Sequence, residues 1–258
     1  MKQFLKNIIL EAGKMSLDFQ SKLAELTVER KSTTQLVTEA DHAVEKFLIG
    51  EIKKRYPEHA ILGEETGEHQ GQDYRWLIDP IDGTTSFIHN QPFFSVSIGV
   101  EKNSQSVLGA VYLPALSELF EAEMNHGAFC NGRKIRVSSR TRLAECLLAT
   151  GLGCRGYTPQ NDNLNHFLAV KSQLRGIRIT GSAALHMCYV ASGRLDGYWQ
   201  INIQPYDAAA GKLLVTEAGG RCSDFSGNTQ NFYHEFAATN GNIHHDLIKI
   251  LASAKHVK

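Results

Sequence analysis

Two aspartates three residues apart close an apolar run in Trp76-Leu77-Ile78-Asp79-Pro80-Ile81-Asp82-Gly83-Thr84-Thr85-Ser86-Phe87, and a glycine and two threonines follow them directly. Paired carboxylates supply the hard oxygen ligands that Mg²⁺ takes. A glycine-threonine turn can aim backbone N–H groups and a hydroxyl at a phosphate oxyanion. Asp, Pro and Gly also make ordinary surface turns, so this stretch alone does not require chemistry. Two more acidic turns change the reading: Gly63-Glu64-Glu65 follows the apolar step Ala60-Ile61-Leu62, and Pro205-Tyr206-Asp207-Ala208-Ala209-Ala210-Gly211 stands far downstream. Three acidic turns at element ends point to one metal- and phosphate-handling site. A covalent aspartyl nucleophile of the Asp-x-Asp type does not fit, because the acid after Asp79 comes three residues later.

Elements must carry these turns to one place. Phe4, Leu5, Ile8, Ile9, Ala12, Met15, Phe19, Leu23 and Leu26 recur at helical spacing, which predicts an amphipathic helix over 2–26. A second helix is expected over 39–56, with Val44, Phe47, Leu48 and Ile52 inward and a stop before Pro57. The stretch 27–38 between them reads as an exposed hairpin or loop. Residues 74–137 read as β structure, with strands at 74–78, 93–101, 106–113, 119–123 and 135–138 and a hairpin signal at Asn131-Gly132. Farther on, strands at 146–150 and 177–180 alternate with helices at 160–174, 182–193 and 207–219, the pattern of an α/β lobe. Asp207 then stands as the N-cap of the last of these, a role worth about 1 kcal/mol. No internal repeat or linker separates the halves, so the expectation is two packed lobes, 1–140 and 141–258.

The composition excludes several classes. With 258 residues and 42% hydrophobic content the chain can bury a large core. Lys+Arg and Asp+Glu each total 27, which argues against a nucleic-acid-binding surface over the whole molecule. No apolar run approaches a membrane span and the N-terminus lacks a signal-peptide core, so the expected compartment is the cytoplasm. Five cysteines without CxxC spacing read as reduced and mostly buried. His244-His245 reads as a helix start.

The ordered set Lys31-Ser32, Leu36-Val37-Thr38-Glu39-Ala40-Asp41, Gly63-Glu64-Glu65, Asp79 to Phe87 and Tyr206 to Gly211 resembles the inositol monophosphatase family of Mg²⁺-dependent, lithium-sensitive phosphatases. The segments Gly127-Ala128-Phe129-Cys130-Asn131-Gly132 and Val215-Thr216-Glu217-Ala218-Gly219-Gly220 extend the resemblance over nearly the whole chain. It implies a layered αβαβα sandwich of the inositol monophosphatase and fructose-1,6-bisphosphatase type, with the site between the lobes. It implies two or three Mg²⁺ ions, held by Glu64, Asp79, the Ile81 carbonyl, Asp82 and Asp207, with Asp79 as a bridge. Glu64 and Thr84 would orient the attacking water, with Asp82 completing the catalytic set. Gly83, Thr84 and Thr85 would cradle the phosphate. Glu65 would support the site, Asp41 would steady it or hold a weaker third ion, and Lys31 would lie in a mobile loop beside it.

The substrate expected from the resemblance is a small phosphorylated polyol or sugar, inositol 1-phosphate first. Gln200 stands where relatives acting on inositol phosphates often carry Glu, which exchanges a charge-assisted acceptor for an amide. Ser182 either bonds a sugar hydroxyl or caps the helix it begins. Fructose 1,6-bisphosphate, histidinol phosphate and a 3′-phosphonucleotide are the other substrates considered. Some bacterial relatives associate with RNA polymerase, and the basic stretch Arg133, Lys134, Arg136, Arg140 and Arg142 could serve that role. A homodimer is also implied, to which the turn Tyr112-Leu113-Pro114 could contribute.

Overall fold

The helical recurrence of Leu5, Ile8, Ile9 and Ala12 folds as α1 (Lys2–Gln20), with those four residues buried on one face. α1 stops earlier than its apolar pattern suggests, because the Ser21 hydroxyl turns back to the Asp18 carbonyl and a short 3₁₀ turn, Leu23–Glu25, follows. The computed structural model describes residues 1–25, 28–30, 36–152, 163–229 and 234–254, so Leu26, Lys31 and Cys154 lie outside the described residues. Strands β1 (Val28–Arg30) and β2 (Leu36–Thr38) form a separate antiparallel pair, the hairpin alternative for this stretch. α2 (Glu39–Arg55) ends two residues before Pro57, as expected, and buries Val44, Leu48 and Ile52. It also buries Asp41 and Glu45, which the apolar pattern does not mark.

A large sheet follows. Its strands are β3 (His59–Gly63), β4 (Gly67–His69), β5 (Gln72–Asp82), then, after the five-residue helix α3 (Thr84–Ile88), β6 (Ser95–Lys102), β7 (Gln105–Leu113), β8 (Glu118–Glu123), β9 (Gly127–Cys130) and β10 (Arg133–Lys134). The spatial order is β10-β9-β8-β7-β6-β5-β3-β4, with the pair β3–β5 parallel and the others antiparallel. Asn131 and Gly132, at φ 48° and 75°, make the expected tight turn. The strand expected at 135–138 does not form. After Ile135 N–H reaches Ala128, the next inward N–H, that of Val137, goes to the Ala218 carbonyl instead of a strand, and the chain leaves the sheet. Conversely, β5 runs past Ile78 through Asp79-Pro80. Pro80 has no N–H to donate, and the β5–β6 register shifts between Asp79 and Asp82.

The second half contributes β11 (Leu147–Thr150), α4 (Leu164–Lys171), β12 (Gly176–Arg178), α5 (Ala183–Ala191), β13 (Gly197–Ile201), α6 (Pro205–Glu217), β14 (Arg221–Ser223), β15 (Glu235–Thr239) and α7 (His244–Ala254). Its sheet has the order β12-β11-β13-β15-β14, with β11 parallel to both neighbours. β13, β14 and β15 are strands beyond those expected from the sequence, although Tyr198, Trp199 and Ile201 of β13 favour a strand, whereas the helix start at His244 is where it was expected.

Helices α1 and α2 cover one face of the first sheet, α5 and α6 fill the space between the sheets, and α4 and α7 cover the outer face of the second. This is the αβαβα sandwich. The middle layer is tight because small residues meet: a Cβ on Gly99 of β6 would lie 2.6 Å from Ala209 of α6. Leu113 and Pro114 are buried inside this chain, while Tyr112 packs over Gly13 and stays half-buried. Among the described residues no helix is long and apolar enough to cross a membrane.

Candidate active site

Three of the acidic residues singled out in the sequence converge. Ligand atoms of Glu64, Asp79 and Asp207 all lie within 4.8 Å of one another. Glu64 begins the turn after β3, its N–H bonded to the Ile78 carbonyl at 3.1 Å. Asp79 comes from β5 next door, and Asp207 from the first turn of α6. α6 starts at Pro205, so Asp207 is not the N-cap. It sits three residues past the N-cap, Gln204, and accepts the Gln204 backbone N–H at 2.9 Å. Proline in the first turn moves the helix start two residues upstream of the expected one.

Asp79 is 2% exposed, and its Oδ1 has no hydrogen-bond partner among the described residues. Burial pushes its carboxyl well above the usual range, and the charges of Glu64, Asp82 and Asp207, with a side-chain hydrogen bond to Glu64, push it further. Its register partner Ser97 likewise buries a hydroxyl without a partner. Buried polar atoms are rarely left so. Three converging carboxylates and an orphaned acceptor fit a hard divalent cation, which would supply the missing partner and neutralise the repulsion.

Asp82 lies beside this group but outside it. Its Oδ2 accepts from Ser182 Oγ at 2.5 Å, Ala184 N at 2.7 Å and Ser95 Oγ at 3.2 Å, and its Oδ1 from Ala183 N at 3.0 Å. Burial raises its carboxyl while these donors, Ser182 first, pull it back. Asp82 therefore ties the first sheet to the start of α5. Ser182 is fully buried, caps α5 by accepting the Leu185 N–H, and spends its proton on Asp82.

Gly83 has φ 98°, and a Cβ there would stand 2.8 Å from the Phe93 carbonyl, so the turn admits glycine alone without strain. It leads into α3, whose first N–H groups have no intrahelical acceptor. Thr84 is half-buried and Thr85 exposed. The Thr84 hydroxyl reaches the Ile81 carbonyl at 3.2 Å and Asp41 Oδ1 at 3.4 Å. Asp41 in turn accepts the N–H and hydroxyl of Thr38 at 2.7 and 2.6 Å, closing a capping box. Burial raises its carboxyl to about 6, with Thr38 opposing and Glu65 adding to the rise.

Gln200 is half-buried; its Oε1 accepts the Tyr198 hydroxyl at 2.6 Å and lies against Gly151. Glu65 stands half-buried next to Glu64. Glu45, on α2, is a residue the motif reading passes over; its carboxylate accepts the Glu65 and Thr66 N–H groups at 2.9 and 2.8 Å. Also passed over is the Cys-x₅-Arg spacing from Cys130 to Arg136. Its geometry is wrong for a thiolate phosphatase loop: Asn131-Gly132 is a hairpin turn between paired strands, and burial and Glu118 push the Cys130 thiol up.

Comparison with known proteins places these features in a family. The family model described as "Inositol monophosphatase family" matches residues 2–256. The chain is 39% identical to an inositol-1-monophosphatase of Mesorhizobium japonicum, over 84% of this chain and 83% of that one. It is 41% identical to a fructose-1,6-bisphosphatase/inositol-1-monophosphatase of Thermotoga maritima, over 87% and 86%, and 43% identical to the Nus factor SuhB of Pseudomonas aeruginosa, over 91% and 88%. The crystal structure of the extragenic suppressor protein suhB from Bartonella henselae superposes with a TM-score of 0.91 at 38% identity, covering 96% of this chain and 97% of that one. Sequence, fold and acidic cluster agree: the chain belongs to the inositol monophosphatase family, whose members are phosphoric monoester hydrolases and in general Mg²⁺-dependent.

Proposed function

We propose that this chain releases phosphate from a small polyol or sugar monophosphate, inositol 1-phosphate foremost, using Mg²⁺ held by Glu64, Asp79, the Ile81 carbonyl, Asp82 and Asp207. The observation that carries the reading is the buried Asp79 carboxylate, with an unpartnered Oδ1, within 4.8 Å of Glu64 and Asp207. Two or three ions suit this donor set. Asp82 keeps acceptor capacity at Oδ1, which has one protein donor. When bound, Mg²⁺ would neutralise the phosphoryl oxygens and stabilise the departing alkoxide.

The chain's own groups do the rest. Gly83, Thr84 and Thr85 present backbone N–H groups to the phosphate. Glu64 and Thr84 orient the attacking water, and Asp41, behind Thr84, accepts the proton that the Thr84 hydroxyl gives up as it takes one from water. Gln200 offers its amide to the leaving group's hydroxyls, and Ser182 acts through Asp82. Glu65 supports the Glu64 turn; the role of Lys31, outside the described residues, rests on the family resemblance alone. A homodimer in the cytoplasm completes the proposal, in keeping with the free thiols of Cys130, Cys146, Cys188 and Cys222.

Phosphate release is the test, across inositol 1-phosphate, fructose 1,6-bisphosphate, histidinol phosphate and 3′-phosphoadenosine 5′-phosphate, with Mg²⁺ or EDTA. Mg²⁺-dependent turnover of the first far above the rest is expected, and no turnover of any would defeat the proposal. A transcription-related role is the second reading, favoured by the 43% identity to a relative named Nus factor SuhB. Arg133, Lys134, Arg136, Arg140 and Arg142 are all exposed, the last two while paired with Asp196 and Glu145. Capture of RNA polymerase that survives Asp82→Asn and is lost in Arg133→Glu would support it.

A further inference from the structure

Glu45 is a charged residue with no solvent exposure, set in the middle of α2. Both its oxygens are used on one short piece of backbone: Oε2 accepts Glu65 N–H at 2.9 Å and Oε1 accepts Thr66 N–H at 2.8 Å. Charge-assisted pairs of this kind are short, directional and costly to break. Glu64, immediately before them, is tied on its other side by its own N–H to the Ile78 carbonyl, one residue from Asp79. The Glu64 backbone is thus held from two directions, by α2 and by β5.

The strand that leads into this turn makes room for the grip. A Cβ on Gly63 would lie 2.6 Å from Glu45 Oε1 and 2.7 Å from its carboxyl carbon. Glycine at 63 is therefore required by the neighbouring carboxylate, and not by a left-handed backbone. On the same face of α2, one turn earlier, Asp41 reaches Thr84. One helix face carries two buried acids, each bonded to a different part of the site.

We propose that Glu45 is a positioning residue: by gripping the Glu65 and Thr66 N–H groups it sets the Glu64 carboxylate for divalent-cation binding, and so governs Mg²⁺ affinity without touching ion or substrate. Groups that orient metal ligands are worth about 10- to 100-fold in metal affinity. The inference rests on the phosphatase reading, and its failure is distinguishable from failure of that reading.

The experiment measures Mg²⁺ binding by calorimetry, the Mg²⁺-induced rise in Tm, and Mg²⁺ half-saturation of phosphate release. Glu45→Gln places an amide NH₂ against one of the two N–H groups, and Gly63→Ala crowds the carboxylate while leaving it charged. Both are expected to weaken Mg²⁺ binding by about tenfold or more and to shrink the Mg²⁺-induced Tm rise, while KM for substrate at saturating Mg²⁺ stays within about twofold of wild type. If Glu45→Gln does not fold, Gly63→Ala reads the same contact. Should neither fold, slow exchange of the Glu65 and Thr66 amide hydrogens in EDTA-treated wild type supports the grip, and fast exchange overturns it. Mg²⁺ affinity within about twofold of wild type in the folded variants overturns the role of Glu45. A wild-type protein without Mg²⁺-dependent turnover defeats the phosphatase reading instead, and the calorimetric comparison still decides on Glu45.

Discussion

The hydroxyl of Thr84 lies 3.4 Å from Asp41 Oδ1, a contact that joins the phosphate-side turn to the first turn of α2 across 43 positions of chain. Asp41 is 1% exposed, and burial holds its carboxyl up at about 6 despite two hydrogen bonds from Thr38. Above that pH the carboxylate can accept from Thr84, and below it the proton blocks the contact.

Phosphate release at saturating Mg²⁺ is therefore expected to fall along an acid limb at or below about 6, because bound Mg²⁺ nearby favours the ionised Asp41 carboxylate. Asp41→Asn and Thr84→Ala should each lower kcat by about 10²-fold or more, the usual worth of a positioned acid–base group. Thr84→Ser keeps the hydroxyl and should retain most activity. A pH–rate profile decides: an acid limb that persists unaltered in Asp41→Asn would remove Asp41 from the proton path.

Asp79 is held in a repulsive setting when no cation is present. Its folded carboxyl binds a proton more tightly than the unfolded one does, through burial first and then Glu64, Asp82 and Asp207. For a raised carboxylate the linkage sign is a penalty that is absent at low pH and grows as pH rises above about 4. Asp79→Asn in EDTA at pH 8 should thus raise Tm by about 2–6 °C, with the gain vanishing toward pH 4. The same variant should lose the Mg²⁺-induced rise in Tm. Thermal melts with and without Mg²⁺ check both, and a variant less stable than wild type in EDTA would contradict the argument.

What the sequence discloses and what it hides follow from distance along the chain. Glu64, Asp79 and Asp207 are legible because each follows an apolar step or a proline at an element end, where a carboxylate is expected to face a cleft. Glu45 is not legible: a Glu inside an amphipathic helix reads as solvent-facing, and its burial is dictated by a turn about 20 residues away that no local period reports. The Asp41–Thr84 contact is hidden for the same reason, although both residues stand in recognisable motifs. The strand over 135–138 is mispredicted because its alternation is satisfied by Ala218 and Asp196, partners from the second half of the chain. β14 and β15 are short and need each other and β13 to be strands at all. Even the quoted segment Val215 to Gly220 explains itself only in the fold, where Glu217 accepts the Asn125 and Gly127 N–H groups.

His186 offers a separate test of the middle layer. It is 2% exposed in α5, its Nε2 accepts from Thr180 N–H, and burial pushes its ring down to about 4. The unfolded chain protonates this residue near 6.5, so its contribution is present above about 6.5 and is lost as pH falls toward 4, by about 3 kcal/mol at most. His186→Gln keeps an acceptor and cannot titrate. The difference in urea midpoint between wild type and this variant should shrink or reverse from pH 7.5 to pH 4.5, and a difference independent of pH would show that His186 titrates alike in the folded and unfolded chain.

The packing of α6 on the first sheet sets where Asp207 stands relative to Asp79. On β6, beside the strand that carries Asp79, a Cβ at Gly99 would meet Ala209 Cβ at 2.6 Å and Ala210 N at 3.1 Å, and backbone of this kind cannot yield as a side-chain tip can. Gly99→Ala must therefore lift the first turn of α6, and Asp207 with it. Overpacking should cost about 1–3 kcal/mol, read as a lower urea midpoint. The displaced ligand should raise the Mg²⁺ requirement by about tenfold. Gly50→Ala is the matched control: on an exposed position of α2 with nothing within 4 Å of the new methyl, it should stabilise by about 0.5–1 kcal/mol through helix propensity and leave the Mg²⁺ requirement unchanged. If Gly99→Ala lowers stability but not Mg²⁺ affinity, the cation does not depend on the spacing between α6 and β5, and Asp207 is not one of its ligands.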